Sequence, residues 1–332
     1  MPAARTVAVL GPIPLDRVTT HRDEVLRKYG AVLYSVAALS ALLEPSDRIC
    51  PVVHVRRVDE EPIKELLSQF ANVDLTGVRS DTDRGDVVEL VYLDQNRRME
   101  RQTHFMAPIL PEDVEFVLDA DAFVCVPITD YQVSQPTLRF IRERSSGFIL
   151  LDGHGPTVSL TQGGERVHRL WIDRDTWLPY VDILKLNLEE AGCSWFPPGS
   201  AESTTAAKPL TVDDLPPFAE LCLDRGVQSL CVTLDERGCV VYYKDDDGVL
   251  REDTADRLPV DRVVDTTGAG DSFAAGMAFG YLHSHDYVQA ARYGNAMGAQ
   301  RVASRELAAY RSLAETDRQL AEAYGTCRTT RR

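Results

Sequence analysis

The residues best suited to chemistry lie in one string, residues 263–276, whose sequence is VVDTTGAGDSFAAG. Gly268, Ala269 and Gly270 precede an apolar helical segment, so they bring bare backbone N–H groups to a helix N-terminus. Those donors and the helix dipole attract developing negative charge, which predicts an anion hole. The string is not a P-loop, because no Gly-Lys-Ser or Gly-Lys-Thr follows the glycines.

Asp271 stands at the start of the same predicted helix. A carboxylate beside an anion site makes chemical sense when it takes the proton of an attacking hydroxyl, so Asp271 is the candidate general base. The alternative is a capping aspartate after a flexible glycine turn, and these few residues alone leave it open.

The elements that must position this string alternate between strands and helices. Apolar runs predict strands at 6–10, 49–55, 122–126, 147–151, 183–186 and 230–234. Helical patterns occupy 31–43, 62–70, 135–144, 216–225, the segment from Gly270, 287–303 and 306–323. Residues 86–105 alternate apolar and polar types around 94–96, which predicts a half-exposed antiparallel hairpin. The whole pattern predicts a parallel sheet covered on both faces, with the hairpin outside it.

Composition and charge argue against several classes of partner and compartment. The 332 residues include 36 Lys and Arg against 51 Asp and Glu, a formal net charge of −15 that repels nucleic-acid phosphates and anionic lipids. We therefore expect neither nucleic-acid nor membrane partners. The seven cysteines form no C-x-x-C pair, which indicates reduced thiols rather than a zinc site. Without a signal-peptide pattern or an apolar run of membrane length, the sequence favours a cytoplasmic protein.

The string DTTGAGDSF at 265–273 closely resembles the signature of the ribokinase/PfkB family of carbohydrate and nucleoside kinases. The resemblance implies one α/β domain over residues 1–332 with a Rossmann-like ribokinase fold. In that fold a mostly parallel central sheet carries helices on both faces and a small β lid, here the segments at about 12–30 and 86–105. Few residues separate Asp16 from Gly30, so we expect a reduced lid. Such lids often form the contact of a homodimer, which the shortening puts in question.

Further positions resemble the nucleotide and metal residues of the family. Asn187 and Glu190 match its N-x-x-E element, which implies that Asn187 approaches the nucleotide phosphates and Glu190 holds Mg²⁺ through water. A helix cap with acidic residues in the first turn is the alternative for this pair. The other matches are Thr233, Gly238 and Asn295 beside the nucleotide, and Asp265 and Thr267 on one side of a monovalent-cation site.

The predicted acceptor site departs from the family pattern. Asp16 matches the early aspartate that hydrogen-bonds substrate hydroxyls, and a carboxylate can accept from two vicinal hydroxyls. Family members usually carry Gly-Gly and then an Asn, whereas here Gly30 alone remains, Tyr29 replaces a glycine and Tyr34 stands in place of the Asn. Residues 152–155 (DGHG) follow a predicted strand where members often place a substrate-side turn. We therefore expect a differently shaped acceptor pocket.

The resemblance and the residues together predict an ATP-dependent phosphotransferase that phosphorylates a hydroxyl of a small sugar or polyol, with ATP and Mg²⁺ as the implied cofactors. Activation by K⁺ stays open, because residues 304–307 (SREL) stand where potassium-activated members carry a Gly-Ala turn. Two alternatives stay open. One is a nucleoside kinase, since Tyr29 and Tyr34 could stack on a base. The other is a non-catalytic sugar or nucleotide sensor on the same fold, against which the retained Asp271, Asn187 and Glu190 argue.

Overall fold

The computed structural model describes residues 4–20, 24–92, 98–195 and 209–325. Within these residues the strands are β1 Thr6–Leu10, β2 Leu15–Thr19, β3 Val25–Tyr29, β4 Arg48–His54, β5 Val78–Arg79, β6 Val87–Tyr92, β7 Arg98–His104, β8 Ala122–Cys125, β9 Phe148–Asp152, β10 Val158–Leu160, β11 Arg166–His168, β12 Ile183–Asn187, β13 Ser229–Thr233, β14 Cys239–Lys244 and β15 Leu250–Ala255. The α-helices are α1 Val32–Leu42, α2 Arg57–Leu67, α3 Pro111–Val114, α4 Gln135–Arg144, α5 Arg174–Trp177, α6 Leu188–Ser194, α7 Leu215–Asp224, α8 Ala269–Ser284, α9 Tyr287–Val302 and α10 Leu313–Tyr324.

Nine strands form the large sheet in the order β15-β14-β13-β12-β9-β8-β1-β4-β5. The strands from β13 to β5 pair in parallel, while β14 and β15 add two antiparallel strands at one edge. Buried side chains alternate along β1, so that Val7 and Val9 join one apolar cluster and Ala8 and Leu10 the other. The first cluster includes residues of α1, α2, α8, α9 and α10, and the second those of α3 to α7. This is the two-faced arrangement that the sequence predicts.

The carboxyl ends of the parallel strands define the edge where a site is expected. The chain fills one side of β1 with β4 and β5 and then crosses to the other side with β8, so the strand order reverses between β1 and β8. Ligands in open α/β sheets bind in the crevice outside the strand ends at such a reversal. We therefore expect the site there.

Four strands form a separate small sheet in the order β3-β2-β6-β7, with a small apolar cluster of Val18, Val88 and Leu90. The hairpin of β10 and β11 extends its β7 edge, because the N–H of Gln102 donates to the carbonyl of Gly164 at 2.7 Å. Although few residues separate Asp16 from Gly30, two strands of five residues each, β2 and β3, lie between Leu15 and Tyr29.

Asp86 connects the small sheet to the body of the protein. Its buried carboxylate accepts hydrogen bonds from Gln102 Nε2 and the Met106 N–H, each at 2.7 Å, and from Tyr131 and Gln132. Burial raises the pKa of Asp86 to about 6, although these donors oppose the shift. A single carboxylate therefore joins β7 to the loop after β8.

The structure corrects several element boundaries. Helix α2 begins at Arg57 rather than 62, because Pro62 inside it removes only one hydrogen bond, to the carbonyl of the exposed Val58. Helix α10 begins at Leu313 rather than at 306. Glu315 accepts from the N–H of Ser312 and so caps the first turn of this helix. Strands β10, β11, β14 and β15 were not predicted. The predicted hairpin turn at 94–96 lies outside the described residues.

The cysteines of the described residues are all buried and unpaired: Cys50, Cys125, Cys193, Cys222, Cys231 and Cys239. Burial raises the pKa of Cys50 to about 12 and that of Cys193 to about 11. The expectation that the thiols are buried is confirmed for these six. No helix in the described ranges is both long and apolar enough to span a bilayer.

Candidate active site

The predicted anion hole lies at the N-terminus of α8, a helix of 16 residues. Gly268 precedes the helix in the left-handed conformation with φ 83°, and a Cβ atom there would lie 2.2 Å from Cδ2 of Tyr34. Only glycine fits this position. The N–H of Ala269 donates to the carbonyl of Thr266 at 3.2 Å, so Ala269 closes the turn, and the N–H groups of Gly270 and Asp271 follow it at the positive end of the helix dipole.

Asp271 lies partly exposed in the first turn of α8. Its backbone carbonyl accepts from Ser35 Oγ at 2.9 Å, which ties α8 to α1. Burial and the negative charge of Asp152 raise the pKa of Asp271 to about 6, while Lys185 and His154 oppose the shift. A carboxylate with this pKa is ionised at neutral pH and still a competent proton acceptor.

Lys185 on β12 brings a buried positive charge to the predicted anion hole. Its side chain is 6% exposed, and its Nζ donates to Oδ2 of Asp152 at 2.7 Å. A Cβ atom at Gly270 would lie 3.2 Å from the same Nζ, so the ammonium group sits beside the loop. Burial favours a neutral lysine, but the charges of Asp152 and Glu190 outweigh it and raise the pKa of Lys185. The sequence analysis missed this residue, although a lysine inside the buried strand ILKLN was the available signal.

Asn187 and Thr233 meet at the carboxyl ends of neighbouring strands, where they pair in the register of β12 and β13. Thr233 Oγ1 donates to the carbonyl of Leu186 at 3.3 Å. Gly238 follows in a tight turn with φ 86°, and a Cβ atom there would lie 2.1 Å from the carbonyl oxygen of Ala255. The large sheet thus brings Asn187 beside the segment from Thr233 to Gly238, which is distant from it in sequence.

Asn295 on α9 is buried and engaged with the end of β15. Its Nδ2 lies 3.0 Å from the carbonyl oxygen of Ala255, 3.1 Å from that of Asp256 and 3.1 Å from the hydroxyl of Tyr324. Its amide nitrogen therefore holds α9 and α10 to the sheet. The expected place of Asn295 beside a nucleotide stays a prediction.

Glu190 forms a reciprocal cap with Asn187 at the start of α6. Asn187 Oδ1 accepts from the N–H of Glu190 at 2.8 Å, and Glu190 Oε2 accepts from the N–H of Asn187 at 2.7 Å. Glu190 Oε1 lies 2.8 Å from Nδ1 of His154. Although burial opposes it, the hydrogen bond from His154 and the charge of Lys185 lower the pKa of Glu190 to about 2. The capping alternative is therefore present in the structure.

These contacts bear on the expected magnesium role. Both oxygens of the Glu190 carboxylate already accept a hydrogen bond or pair with His154, and the residue is 1% exposed. Among the described residues, no group of three or more His, Cys, Asp or Glu side chains could hold a metal ion. The residues present thus do not form a direct magnesium site, and the role of Glu190 through water stays a prediction.

The predicted acceptor residues lie together across from Asp271. A Cβ atom at Gly30 would lie 3.4 Å from Oδ2 of Asp16 and 3.3 Å from Cε2 of Tyr34, so all three share one small space. Asp16 on β2 is 7% exposed, and burial raises its pKa to about 6, with the charge of Asp271 acting in the same direction. The small sheet therefore carries one acidic side chain toward the start of α8.

A cavity of about 350 Å³ adjoins this space, and its lining residues are Glu100, His154, Val158, Arg166, Val167 and His168. Nη1 of Arg166 lies 3.6 Å from Oε2 of Glu100, and among the described residues neither Nε nor Nη2 of this arginine has a hydrogen-bond partner. The charge of Arg166 lowers the pKa of Asp16, opposing its burial, so the guanidinium acts electrostatically on the predicted acceptor side. Arg166 is the second site residue that the sequence analysis missed.

The two tyrosines do not form a stacking pair. The hydroxyl of Tyr29 donates to Oδ1 of Asp59 at 3.0 Å, so its side chain faces α2 and not the site. The ring of Tyr34 packs on Gly268, and the guanidinium carbon of Arg301 lies 4.4 Å from the ring centroid. The idea that both rings stack on a base is therefore wrong.

Asp265 is surrounded by donors. Its Oδ1 accepts from the N–H of Thr267 at 2.9 Å, and its Oδ2 lies 3.0 Å from Nζ of Lys28 and 3.5 Å from Nη2 of Arg301. Burial would raise the pKa of Asp265, but the Thr267 N–H and the charge of Lys28 outweigh it and lower the pKa. The carboxylate is thus held ionised by protein groups.

Comparison with known proteins supports the resemblance. Residues 169–312 match the model of the pfkB family of carbohydrate kinases. Over 134 residues, which cover 40% of this chain and 37% of the relative, the sequence is 34% identical to the 2-dehydro-3-deoxygluconokinase of Bacillus subtilis (strain 168). Over 88 residues, covering 26% and 33%, it is 38% identical to an uncharacterized sugar kinase of Archaeoglobus fulgidus. The chain thus matches about a third of the length of these relatives.

Solved structures establish the fold. The chain superimposes on Arabidopsis thaliana ribokinase complexed with ribose and ATP with a TM-score of 0.71 and 16% identity, covering 96% of this chain and 99% of that one. It also matches a pyrophosphate-dependent kinase in the ribokinase family, complexed with a pyrophosphate analog and myo-inositol, with a TM-score of 0.68 and 17% identity over 89% and 94%. The predicted family resemblance and α/β fold class are confirmed.

Proposed function

We propose that this chain, a relative of the pfkB carbohydrate kinases with the ribokinase fold, is a kinase that transfers the γ-phosphoryl group of MgATP to a hydroxyl of a small sugar or polyol. One observation carries the proposal. The N-terminus of α8, the buried ammonium of Lys185 and the carboxylate of Asp271 lie together, and Asp16 approaches them from the small sheet. A phosphoryl-transfer site needs this combination of positive donors, one base and one acceptor-binding group.

The transfer follows from these positions. Asp16 accepts a hydrogen bond from the acceptor and orients its hydroxyl, and Asp271 takes the hydroxyl proton as the oxygen attacks the γ-phosphorus. The bond from the γ-phosphorus to the β,γ-bridging oxygen breaks, and ADP leaves with that oxygen. The N–H groups at the start of α8 and the ammonium of Lys185 stabilise the charge on the phosphoryl oxygens. The magnesium ion enters as part of the MgATP substrate, where it neutralises the phosphate oxygens.

A sugar or polyol suits the acceptor side better than a nucleoside. The side chain of Tyr29 faces α2, so the aromatic pair that would have favoured a base is missing among the described residues. The cavity of about 350 Å³ places an acid, an arginine and histidines where hydroxyl groups need both acceptors and donors. A sugar acid is the second candidate, because two nitrogens of Arg166 have no partner in the described structure.

We further propose that the small sheet is the lid of a single domain, built from segments 12–30 and 86–105. Asp16 on β2 and Glu100 on β7 both project from this sheet toward the site, which supports the assignment. A sheet that supplies acceptor contacts can complete the site when substrate binds. The homodimer and the cytoplasmic location stay predictions.

The test is an acceptor panel with MgATP, in which ADP release is followed for pentoses, hexoses, inositols, sugar acids and nucleosides. The Asp271→Asn variant should bind MgATP as the wild type does and lose about 10² to 10⁴-fold in turnover. Asp261→Asn changes an exposed carboxylate in the loop before the string and serves as the matched control. Full turnover by Asp271→Asn would refute the base. Binding of MgATP without turnover on any acceptor would favour the sensor.

A further inference from the structure

Two protein cations meet at Asp265, from elements far apart in the chain. Lys28 lies on β3 of the small sheet, and Arg301 lies near the end of α9. Their nitrogens are 3.0 and 3.5 Å from the same carboxylate oxygen, Oδ2 of Asp265. Arg301 is fully buried, so its charge cannot be screened by solvent as that of a surface residue is.

The same contacts leave no room for a further cation. A monovalent ion needs several free oxygen ligands, but Oδ1 of Asp265 accepts from Thr267 and Oδ2 faces two positive groups. The Ser304 carbonyl after α9 accepts from Nη1 of Arg301 and is occupied as well. An added cation would lie close to the guanidinium and the ammonium and be repelled by both. The residues present therefore do not fit a K⁺ site at Asp265 and Thr267.

The pair also contacts the loop that forms the anion hole. The Arg301 guanidinium carbon lies 4.4 Å from the centroid of the Tyr34 ring, and that ring packs directly on Gly268. Asp265 itself begins the turn that leads to Gly268 through Thr267. Arg301 thus supports the loop from two sides, by charge at Asp265 and by packing through Tyr34.

We propose that Arg301 and Lys28 act as a built-in cation that holds Asp265 and positions the 265–270 loop, so that phosphoryl transfer requires no monovalent ion. The inference rests on the proposed kinase function. Arg301 is a positioning residue, since it touches the loop and not the reacting groups. Lys28 belongs to the small sheet. Both positive groups therefore contact Asp265 only when that sheet lies against the 265–270 loop.

The test compares KCl with tetramethylammonium chloride at equal ionic strength. Wild-type kcat and the KM for MgATP should agree within about twofold between the two salts, and the dissociation constant of MgATP from calorimetry should agree as well. Arg301→Met should lower kcat/KM for MgATP by about 10²-fold, the effect of a misplaced loop, and KCl should then restore part of it. Arg301→Lys keeps the charge and should retain more activity. Arg318→Met, an exposed arginine on α10, is the control.

Two results would overturn the proposal. One is a wild-type enzyme that KCl activates fivefold or more, and the other is an Arg301→Met protein that equals the wild type in kinetics and MgATP affinity. Thermal unfolding curves show whether the variants are folded. If Arg301→Met is not folded, the same kinetic and calorimetric measurements on Arg301→Lys and Lys28→Met test the proposal instead. If the wild type has no turnover on any acceptor, the proposed function fails. In that case the dissociation constant of MgATP, compared between the two salts, still decides whether Arg301 and Lys28 replace a monovalent ion.

Discussion

Replacing Lys185 by methionine should destabilise the protein by an amount that depends on pH. The substitution keeps the length of the side chain and removes the ammonium group that pairs with Asp152 at 2.7 Å. Asp152 is 4% exposed and its pKa is already raised, chiefly by burial. Without its partner, this carboxylate must either stay charged in the interior or take up a proton.

The cost of that proton sets the magnitude. An unfolded aspartate has a pKa of about 3.9, so protonating Asp152 costs about 4 kcal/mol at pH 7 and about 1.5 kcal/mol at pH 5. The first value agrees with the roughly 3–5 kcal/mol lost when one member of a buried ion pair is removed. The folded variant binds a proton that the unfolded chain releases, so its stability falls as pH rises. Because the pKa of Asp152 is also raised in the wild type, the loss relative to the wild type should be larger at pH 7 than at pH 5 by at most about 2–3 kcal/mol.

Urea unfolding at the two pH values measures both losses. The double variant Lys185→Met with Asp152→Asn has no carboxylate at position 152 to take up a proton, so its loss relative to the wild type should not grow from pH 5 to pH 7. Lys244→Met removes one member of an exposed pair with Asp224, also at 2.7 Å, and should cost less than about 1 kcal/mol at either pH. Equal losses for Lys185→Met at pH 5 and pH 7 would refute the reasoning.

Other expectations follow from the site. Gly268→Ala should cost at least about 1–2 kcal/mol of stability from its left-handed backbone alone, and its Cβ atom would meet the Tyr34 ring, so turnover should also fall; unchanged kinetics would contradict the placement of the loop. In a pH series, kcat/KM should fall below pH 6 with a slope that approaches about a hundredfold per unit, because Asp271 and Asp16, whose pKa values are both raised to about 6, must both be ionised; a flat profile down to pH 5 would rule out the base. Arg166→Met should raise the KM of the acceptor and leave the KM of MgATP unchanged, and equal increases in both would remove Arg166 from the acceptor side.

Most parallel strands of the large sheet and the start of α8 could be predicted because they depend on local patterns. Strands such as β1, β8 and β12 are short apolar runs. The residues GAG at 268–270 indicate the start of α8 without reference to the rest of the fold. Strands β14 and β15 were missed although the segment 245–248, DDDG, is a clear turn signal between them. Strands β10 and β11 were also missed, although Gly163 and Gly164 are a turn signal between them.

The parts of the site that were missed depend on contacts distant in sequence. Glu190 pairs with His154, which is 36 positions away, and no local pattern distinguishes this contact from a cap alone. Tyr29 and Tyr34 look equivalent in the sequence, but the end of β3 turns one toward α2 while α1 turns the other toward Gly268. Lys185 alone gave a local signal, because a lysine inside a buried strand needs a buried partner.

The buried cysteines are natural probes of local opening of the structure, because an alkylating reagent reaches them only when the surrounding strands separate. A thiol reacts as its thiolate, and burial suppresses that form at Cys50 and Cys125. At Cys231 the hydrogen bond with Cys239 and then burial do the same, and at all three positions burial also blocks access. Labelling of these positions therefore requires a local or global opening of the structure. They lie on β4, β8 and β13, across the width of the large sheet. The rate of alkylation at each, read by peptide mass, would map which strands open first and which of them a bound nucleotide or sugar closes, without an engineered label.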